Sequence, residues 1–84
     1  MQKPIKLYTL STCIHCKATK SFLDKYPVKY EFTDVDLVPL TERESVLTEI
    51  RKYNPACTFP TILIGDQIII GFDQKELSAA LVSR

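Results

Sequence analysis

The sequence has no excess of charge of either sign and no apolar segment of membrane-spanning length. Its 84 residues include 11 Lys plus Arg and 10 Asp plus Glu, which gives a formal net charge of +1. Binding to nucleic acid through bulk charge requires a basic surplus, so we expect no nucleic-acid partner. A transmembrane helix requires about 20 consecutive apolar residues, which this chain does not contain, so we expect no membrane association.

Signals for targeting and for a second domain are also missing. The first residues lead directly into a strand pattern and contain no signal-peptide core, so we expect a cytoplasmic protein. There is no linker, internal repeat, low-complexity tract or block of like charges. With 45% hydrophobic and 25% charged residues, the composition is that of a folding chain. We therefore expect residues 1–84 to form one domain that acts as a monomer.

The hydrophobic pattern of the first half predicts a strand, a helix and a second strand. Residues 4–10 are rich in apolar β-formers, and residues 13–26 carry apolar side chains at helical spacing up to Pro27. Residues 28–33 alternate between apolar and polar, which predicts a strand with one buried face. A strand–helix–strand succession in one sheet crosses over right-handedly, so we expect these two strands to be parallel.

The second half predicts a helix, a β-hairpin and a last helix. Thr41 and Glu44 match a capping box that opens the helix. Residues 60–64 and 67–70 flank Gly65-Asp66, which is a signature of a tight hairpin turn. Both runs are apolar on both faces, so we expect helices to cover the hairpin on both sides.

The predicted element order is therefore β-α-β-α-β-β-α. Asp73, followed three residues later by Glu76, is placed to cap the last helix. The first two strands pair in parallel and the hairpin adds antiparallel pairing. We predict an α/β fold with a mixed four-stranded sheet flanked by three helices.

The three cysteines carry the predicted chemistry. An odd number makes a poor disulfide framework, and the spacing of Cys13 and Cys16 indicates redox catalysis or metal binding in a reducing compartment. Cys13 would lie at a helix N-terminus, where free N–H groups and the helix dipole stabilise a thiolate. We predict that Cys13 is the attacking nucleophile and that Cys16, one turn further on, is a buried resolving thiol.

Three residues lie beside these cysteines, and two of them, His15 and Ile14, each allow two interpretations. His15 and Lys17 lie close enough in sequence to tune the thiolate and the redox behaviour of the pair through their charge. The alternative for His15 is an exposed side chain with little effect. Ile14 either packs on the helix face or forms part of an apolar rim where substrates dock.

The chain resembles the glutaredoxins and glutaredoxin-like redoxins of the thioredoxin-fold superfamily. The resemblance covers nearly the whole length, and these segments carry it: Tyr8-Thr9, Ser11 to Lys17, Thr58-Phe59-Pro60 and Gly71-Phe72-Asp73. It implies a thioredoxin fold in which Pro60 is cis and faces the active-site cysteine. It also implies that Thr58, Phe59 and Pro60 present backbone groups to a bound peptide or glutathione, and that Gly71, Phe72 and Asp73 contact the glycine end of glutathione.

By this resemblance the protein is a thiol–disulfide oxidoreductase that reduces protein or glutathione mixed disulfides through a Cys13/Cys16 dithiol cycle. No tightly bound cofactor is implied, and glutathione is a co-substrate. The partners implied are disulfide-containing proteins, with glutathione or thioredoxin reductase as electron donor. Thioredoxin reductase is included as a donor because Gly71-Phe72 resembles the glutaredoxin-like hydrogen donors of ribonucleotide reductase, some of which are reduced by that enzyme. Cys57 is either a packed small hydrophobe or a second redox or glutathionylation site.

Other classes of function remain as alternatives. A metallochaperone also places Cys-x-x-Cys between its first strand and first helix, but that fold has the order β-α-β-β-α-β. An iron–sulfur carrier would keep the thioredoxin fold and bind its cluster at Cys13, with a dimer and glutathione required by the resemblance. A zinc site at His15, Cys13 and Cys16 would offer at most three crowded ligands, so we expect no metal.

Overall fold

The computed structural model describes residues 3–83, and their elements follow the predicted order. The strands are β1 (Ile5–Thr9), β2 (Glu31–Asp34), β3 (Thr61–Ile64) and β4 (Gln67–Ile70). The helices are α1 (Ile14–Asp24), α2 (Leu40–Tyr53) and α3 (Gln74–Ser83), with one 3₁₀ turn at Val35–Leu37. None of the helices formed by these residues is both long and apolar enough to cross a bilayer. The predicted α/β thioredoxin fold is confirmed.

The sheet has the strand order β2-β1-β3-β4. β1 and β2 are parallel, whereas β1 with β3 and β3 with β4 are antiparallel. Tyr8 pairs with Thr33 on one side and with Thr61 on the other, and Thr61 pairs in turn with Ile70. The ends of β1, β2 and β4 therefore lie beside the start of β3, and we call this end of the sheet the site end.

The sheet separates two hydrophobic clusters. Successive side chains of a strand point to opposite faces, so Leu7 enters one cluster and Tyr8 the other. The larger cluster lies under α1 and α3, where Leu23 and Leu77 are fully buried. The smaller cluster lies under α2, whose Ile50 packs with Tyr8. The two cysteines of the motif thus lie at the start of α1, a helix that is anchored in the larger cluster.

The expected buried faces of two strands are wrong in part. Phe32 of β2 is 48% exposed because β2 is an edge strand, and its ring lies 3.8 Å from the Lys20 ammonium rather than in the core. In β4 only Ile69 is buried, while Ile68 and Ile70 are exposed. The reason is that α2 packs on the central part of its face of the sheet and leaves this outer strand uncovered.

The two predicted helix caps have different outcomes. α2 begins at Leu40 with Pro39 as its N-cap, so Thr41 lies inside the helix and the predicted capping box is wrong. Pro39 has a φ of −53°, which is suited to a helix start, and the helix begins two residues earlier than a cap at Thr41 predicts. The predicted cap of α3 is confirmed, because an Asp73 carboxylate oxygen accepts the Glu76 N–H at 3.1 Å.

Candidate active site

Four connecting segments meet at the site end of the sheet. The loop at residues 10–13 follows β1, the 3₁₀ turn follows β2, residues 58–60 precede β3 and residues 71–73 follow β4. The strand register places their first or last residues side by side. Residues that are far apart in the chain therefore line one region of the surface around the cysteine pair.

Cys13 lies at the predicted position at the start of α1. It is the N-cap residue, with an extended backbone, and its Sγ accepts the Cys16 N–H at 3.2 Å. Its side chain is half-buried, and its own N–H donates to the Leu10 carbonyl at 3.2 Å. The Cys13 sulfur therefore lies at the positive end of the α1 dipole, with a backbone N–H directed at it.

Cys16 lies one turn further along α1 and is fully buried. Burial, and next a hydrogen bond with the Cys13 side chain, raise the pKa of Cys16 from its ordinary value of 9.0 to about 12. A backbone hydrogen bond with Leu10 acts in the opposite direction. At neutral pH Cys16 is therefore a protonated thiol beside Cys13, and the two sulfurs have different chemical character.

The other three residues of this turn face solvent. His15 and Lys17 are exposed, and no hydrogen bond or ion pair joins either side chain to another described residue. Ile14 is 77% exposed, so the interpretation that it packs on the helix face is wrong. The alternative, an apolar rim beside Cys13, stays a prediction.

The segment before β3 has the conformation that the family resemblance implies. The Phe59–Pro60 peptide bond is cis, and the Pro60 side chain is fully buried. The Pro60 carbonyl accepts the Gly71 N–H at 2.9 Å. This bond joins the two segments predicted to bind substrate.

The segment after β4 presents mainly backbone. Gly71 has a φ of +84°, a left-handed conformation that glycine adopts readily. The Phe72 ring packs against Phe22 with a centroid distance of 6.1 Å, so this side chain belongs to the core. Asp73 caps α3 and is exposed. A ligand at this point would meet the Phe72 backbone and the N-terminus of α3.

Two functional candidates escaped the sequence analysis. Asp36, in the 3₁₀ turn, accepts the Ser11 N–H at 2.9 Å and also the Ser11 hydroxyl. Both bonds lower the pKa of Asp36. Arg43 donates to the Asp36 carbonyl at 3.0 Å, so the turn is held between α2 and the cysteine loop. Two acidic residues at and just after the end of β2, Asp34 and Asp36, were the only sequence signal for the contact between Asp36 and Ser11.

Asn54 is the second candidate. The sequence predicted only that it ends α2, but it is buried and hydrogen-bonded to the segment before β3.

Cys57 lies just before the 58–60 segment. It is half-buried, packs against the smaller cluster and has a φ of +53°, which is uncommon for a residue other than glycine. Its packing fits the interpretation as a small hydrophobe. Cys13, Cys16 and Cys57 are all free thiols. Within residues 3–83, no three His, Cys, Asp or Glu side chains are grouped as ligands for a metal ion.

Comparison with known proteins assigns the chain to a family. The glutaredoxin family model matches residues 5–69. The chain belongs to the glutaredoxin family. A glutaredoxin-like 8.6 kDa protein of the Clostridium pasteurianum rubredoxin operon is 35% identical over 74 residues, covering 87% of this chain and 91% of the relative. Thiol redox chemistry, the general activity of glutaredoxins, is the function that this membership supports.

Two solved structures share the fold and part of the sequence of this glutaredoxin. Methanosarcina acetivorans methanoredoxin has a TM-score of 0.89 and 34% identity, covering 95% of this chain and 85% of that protein. A glutaredoxin from Archaeoglobus fulgidus has a TM-score of 0.88 and 28% identity, covering 98% and 88%. The element order differs from the β-α-β-β-α-β order of metallochaperones, so that alternative is wrong.

Proposed function

We propose that this glutaredoxin is a thiol–disulfide oxidoreductase that reduces protein or glutathione mixed disulfides through a Cys13/Cys16 dithiol cycle. The observation that carries the proposal is the asymmetry of the pair. One thiol is half-buried at the start of α1, and the other is fully buried one turn behind it. In this proposal the protein acts as a monomer in the cytoplasm, where disulfides are kept reduced.

The first step is attack of the Cys13 thiolate on one sulfur of the substrate disulfide. A bond forms between Cys13 and that sulfur, the substrate disulfide bond breaks, and the second substrate sulfur leaves as a thiolate. The backbone of Phe59 and the start of α3 line the same end of the sheet and are suited to hold an extended substrate. Asp73 and the backbone of residues 71–73 are the groups we assign to glutathione.

The second step is attack of Cys16 on the Cys13 sulfur. Cys16 gives up its proton, the Cys13–Cys16 disulfide forms, and the remaining substrate sulfur leaves and takes up a proton. Burial is the main cause of the raised pKa of Cys16, but the hydrogen bond and the charge of Cys13 add to it. The charge is lost once the Cys13 sulfur is in a mixed disulfide, and the hydrogen bond to that neutral sulfur is weaker. Cys16 therefore becomes more acidic when its attack is required.

The oxidised pair returns to the dithiol by taking up two electrons and two protons. Two glutathione molecules supply them and become glutathione disulfide, or thioredoxin reductase supplies them directly. The segments at residues 58–60 and 71–73 support glutathione as the co-substrate. The Gly71-Phe72 pair supports the reductase route, because it resembles redoxins that are served in that way.

A coupled assay tests the proposal. NADPH consumption is followed with a disulfide substrate, in one arm with glutathione and its reductase and in the other with thioredoxin reductase. We expect turnover in at least one arm, and none in either arm for Cys13→Ser, because an alcohol without a dedicated base is a poor nucleophile. If Cys13→Ser turns over like the wild type, the proposal is wrong.

A further inference from the structure

We propose that Asn54 is a positioning residue that holds the substrate-facing backbone of the Thr58-Phe59-Pro60 segment, an inference that rests on the proposed function. Asn54 is only 1% exposed and lies just after α2, where its N–H donates to the Ile50 carbonyl at 2.8 Å. Ile50 is the residue that anchors α2 in the smaller cluster. Asn54 is therefore fixed to the core on one side, and its side chain points towards the segment that follows.

The side-chain amide of Asn54 contacts the first residue of this segment and the residue that follows it. Its Nδ2 lies 3.1 Å from the Thr58 carbonyl, 3.0 Å from the Thr58 hydroxyl and 3.0 Å from the Thr61 hydroxyl. The Thr61 hydroxyl donates in turn to the Thr58 carbonyl at 2.7 Å. An amide nitrogen has two hydrogens, so the three acceptors share them. The carbonyl of Thr58 is thus held by two donors from the inner side.

These bonds set the orientation of the peptide unit that precedes Phe59. Because the carbonyl of Thr58 points inward to Asn54 and Thr61, the following backbone is presented outward at the site end. The carbonyl of Asn54 also accepts the Cys57 N–H at 2.8 Å, at the residue with a φ of +53°. Through its backbone N–H, its backbone carbonyl and its side chain, Asn54 holds the connection from α2 to β3 in place.

A solely structural role and a positioning role make different predictions. A buried asparagine that only satisfies its own polar groups contributes to the stability of the fold, and folded protein would react normally at Cys13. A positioning residue changes one kind of reaction. Loss of its contacts slows reaction of Cys13 with a disulfide, which must lie against Phe59, and leaves reaction with a small alkylating reagent unchanged.

The experiment compares these two reactions of reduced, folded protein. The second-order rates are measured with iodoacetamide and with a peptide–glutathione mixed disulfide, well below the thermal transition of each variant. The main variant is Thr61→Val, which keeps the side-chain shape and removes the hydroxyl. Thr61→Ser keeps the hydroxyl, and Asn54→Ala removes the amide itself. Ile64→Val, at the far end of β3, is the matched control for loss of buried volume in this strand.

We expect the disulfide rate of Thr61→Val and Asn54→Ala to fall by about tenfold or more, since a 1 Å misplacement of reacting groups costs up to about a hundredfold. We expect the iodoacetamide rate to stay at the wild-type value, Thr61→Ser to restore the disulfide rate, and Ile64→Val to change neither. If Asn54→Ala does not fold, Thr61→Val alone decides the outcome. An unchanged disulfide rate in folded Thr61→Val, or an equal fall in both rates, would overturn the inference.

This test is separate from that of the proposed function. Both rates describe a single reaction of Cys13 and require neither reductase nor turnover. If the wild type shows no coupled turnover but the variants slow only the disulfide reaction, the positioning role stands and the catalytic cycle is wrong. If the wild type turns over and folded Thr61→Val reacts normally with the disulfide, the positioning role is wrong and the cycle stands.

Discussion

At the scale of single residues, the site depends on a difference in environment between two cysteines one helical turn apart. Cys13 caps the helix and is half-buried, whereas Cys16 is fully buried. The thiolate is the form that attacks, so an enclosed thiol stays inactive until its environment changes. The order of the two chemical steps therefore follows from where the chain places the two sulfurs.

The raised pKa of Cys16 predicts a loss of stability in alkali. The folded state binds the Cys16 proton more tightly than the unfolded state, so the contribution to stability is complete below the ordinary value of 9.0 and is lost as the pH rises towards about 12. Urea unfolding of wild type and Cys16→Ala between these pH values should show a steeper fall for the wild type. Tyr30, whose pKa is also raised to about 12 by burial and Asp24, is present in both proteins and cancels. Parallel pH profiles would contradict the prediction.

The exposed side chains of His15 and Lys17 near Cys13 predict a salt-dependent reactivity. His15 and Lys17 face solvent, so their effect on a thiolate acts through water and is screened by salt. We expect His15→Ala and Lys17→Ala to slow alkylation of Cys13 at low ionic strength near pH 6, with the difference shrinking as salt is added. Lys25→Ala, at the far end of α1, is the control and should match the wild type. Equal rates for all four proteins at low salt would show that neither His15 nor Lys17 tunes the reactivity of Cys13.

At the scale of elements, the cysteine loop is held by contacts with the turn that follows β2. Ser11 gives both its N–H and its hydroxyl to Asp36, and Thr9 gives its hydroxyl to Asp34 at 2.6 Å. The Lys20 ammonium also contacts Asp34 at 3.2 Å, which links α1 to the same strand end. The first helix and the loop before it are thus both fixed to the end of β2.

The contact between Asp36 and Ser11 predicts a specific sensitivity to acid. The two donors of Ser11 lower the pKa of Asp36 from its ordinary value of 3.8. The ionised Asp36 therefore stabilises the folded state above pH 3.8, and this stabilisation is lost as the pH falls through the lowered pKa of Asp36. We expect the unfolding free energy of Asp36→Asn to vary less with pH than that of the wild type below pH 3.8. Glu42→Gln, an exposed residue in the first turn of α2, is the control, and the same flattening in that variant would contradict the prediction.

Residues in short motifs beside a strand or helix could be predicted from the sequence, whereas residues that act through contacts between loops could not. The place of Cys13 and Cys16 at the start of α1 could be predicted, because their motif lies between a clear strand pattern and a clear helix pattern. The cis bond before Pro60 was implied by the resemblance to glutaredoxins and not by any local pattern. Asp36 and Asn54 could not be predicted, because their roles lie in hydrogen bonds to loops. Asp36 contacts a residue 25 positions away, and no local pattern records that distance.

The exposed face of β2 has a related cause. Alternation predicted one buried face for residues 28–33, but an edge strand is covered only where a helix reaches it. Whether a helix reaches it depends on the packing of the whole sheet. A long-range property of this kind decides the burial of Phe32 and of the outer face of β4.

At the scale of the whole molecule, the two faces of the sheet contribute unequally to stability. The face under α1 and α3 buries most of the large apolar side chains. On the other face, Ile50 is the only buried residue of the 14 in α2. The helix that leads into Asn54 is therefore attached to the sheet through one fully buried side chain, with Val46 and Leu47 half-buried beside it.

This arrangement predicts a large effect for a single substitution. Ile50→Ala should lower the free energy of unfolding by about 2–5 kcal/mol, because it removes a fully buried side chain that neighbours cannot replace. Amide hydrogen exchange should show the largest loss of protection in α2 and the smallest in β1. Val46→Ala, at a half-buried position one turn earlier, is the control and should cost less. A uniform loss of protection across the sheet would argue against α2 as a separately opening unit.

The register of the strands also matters for anyone who wishes to attach this protein to something else. The hairpin turn at Gly65-Asp66 lies at the end of the sheet opposite Cys13, and Asp66 is exposed. The Gly65 N–H donates to the Pro4 carbonyl at 3.0 Å, so this turn is firmly held. A dye, electrode linker or affinity tether placed at Asp66 would leave the thiol pair facing the solution. A protein attached to a surface through Asp66 would therefore present Cys13 to the solution, as a redox probe requires.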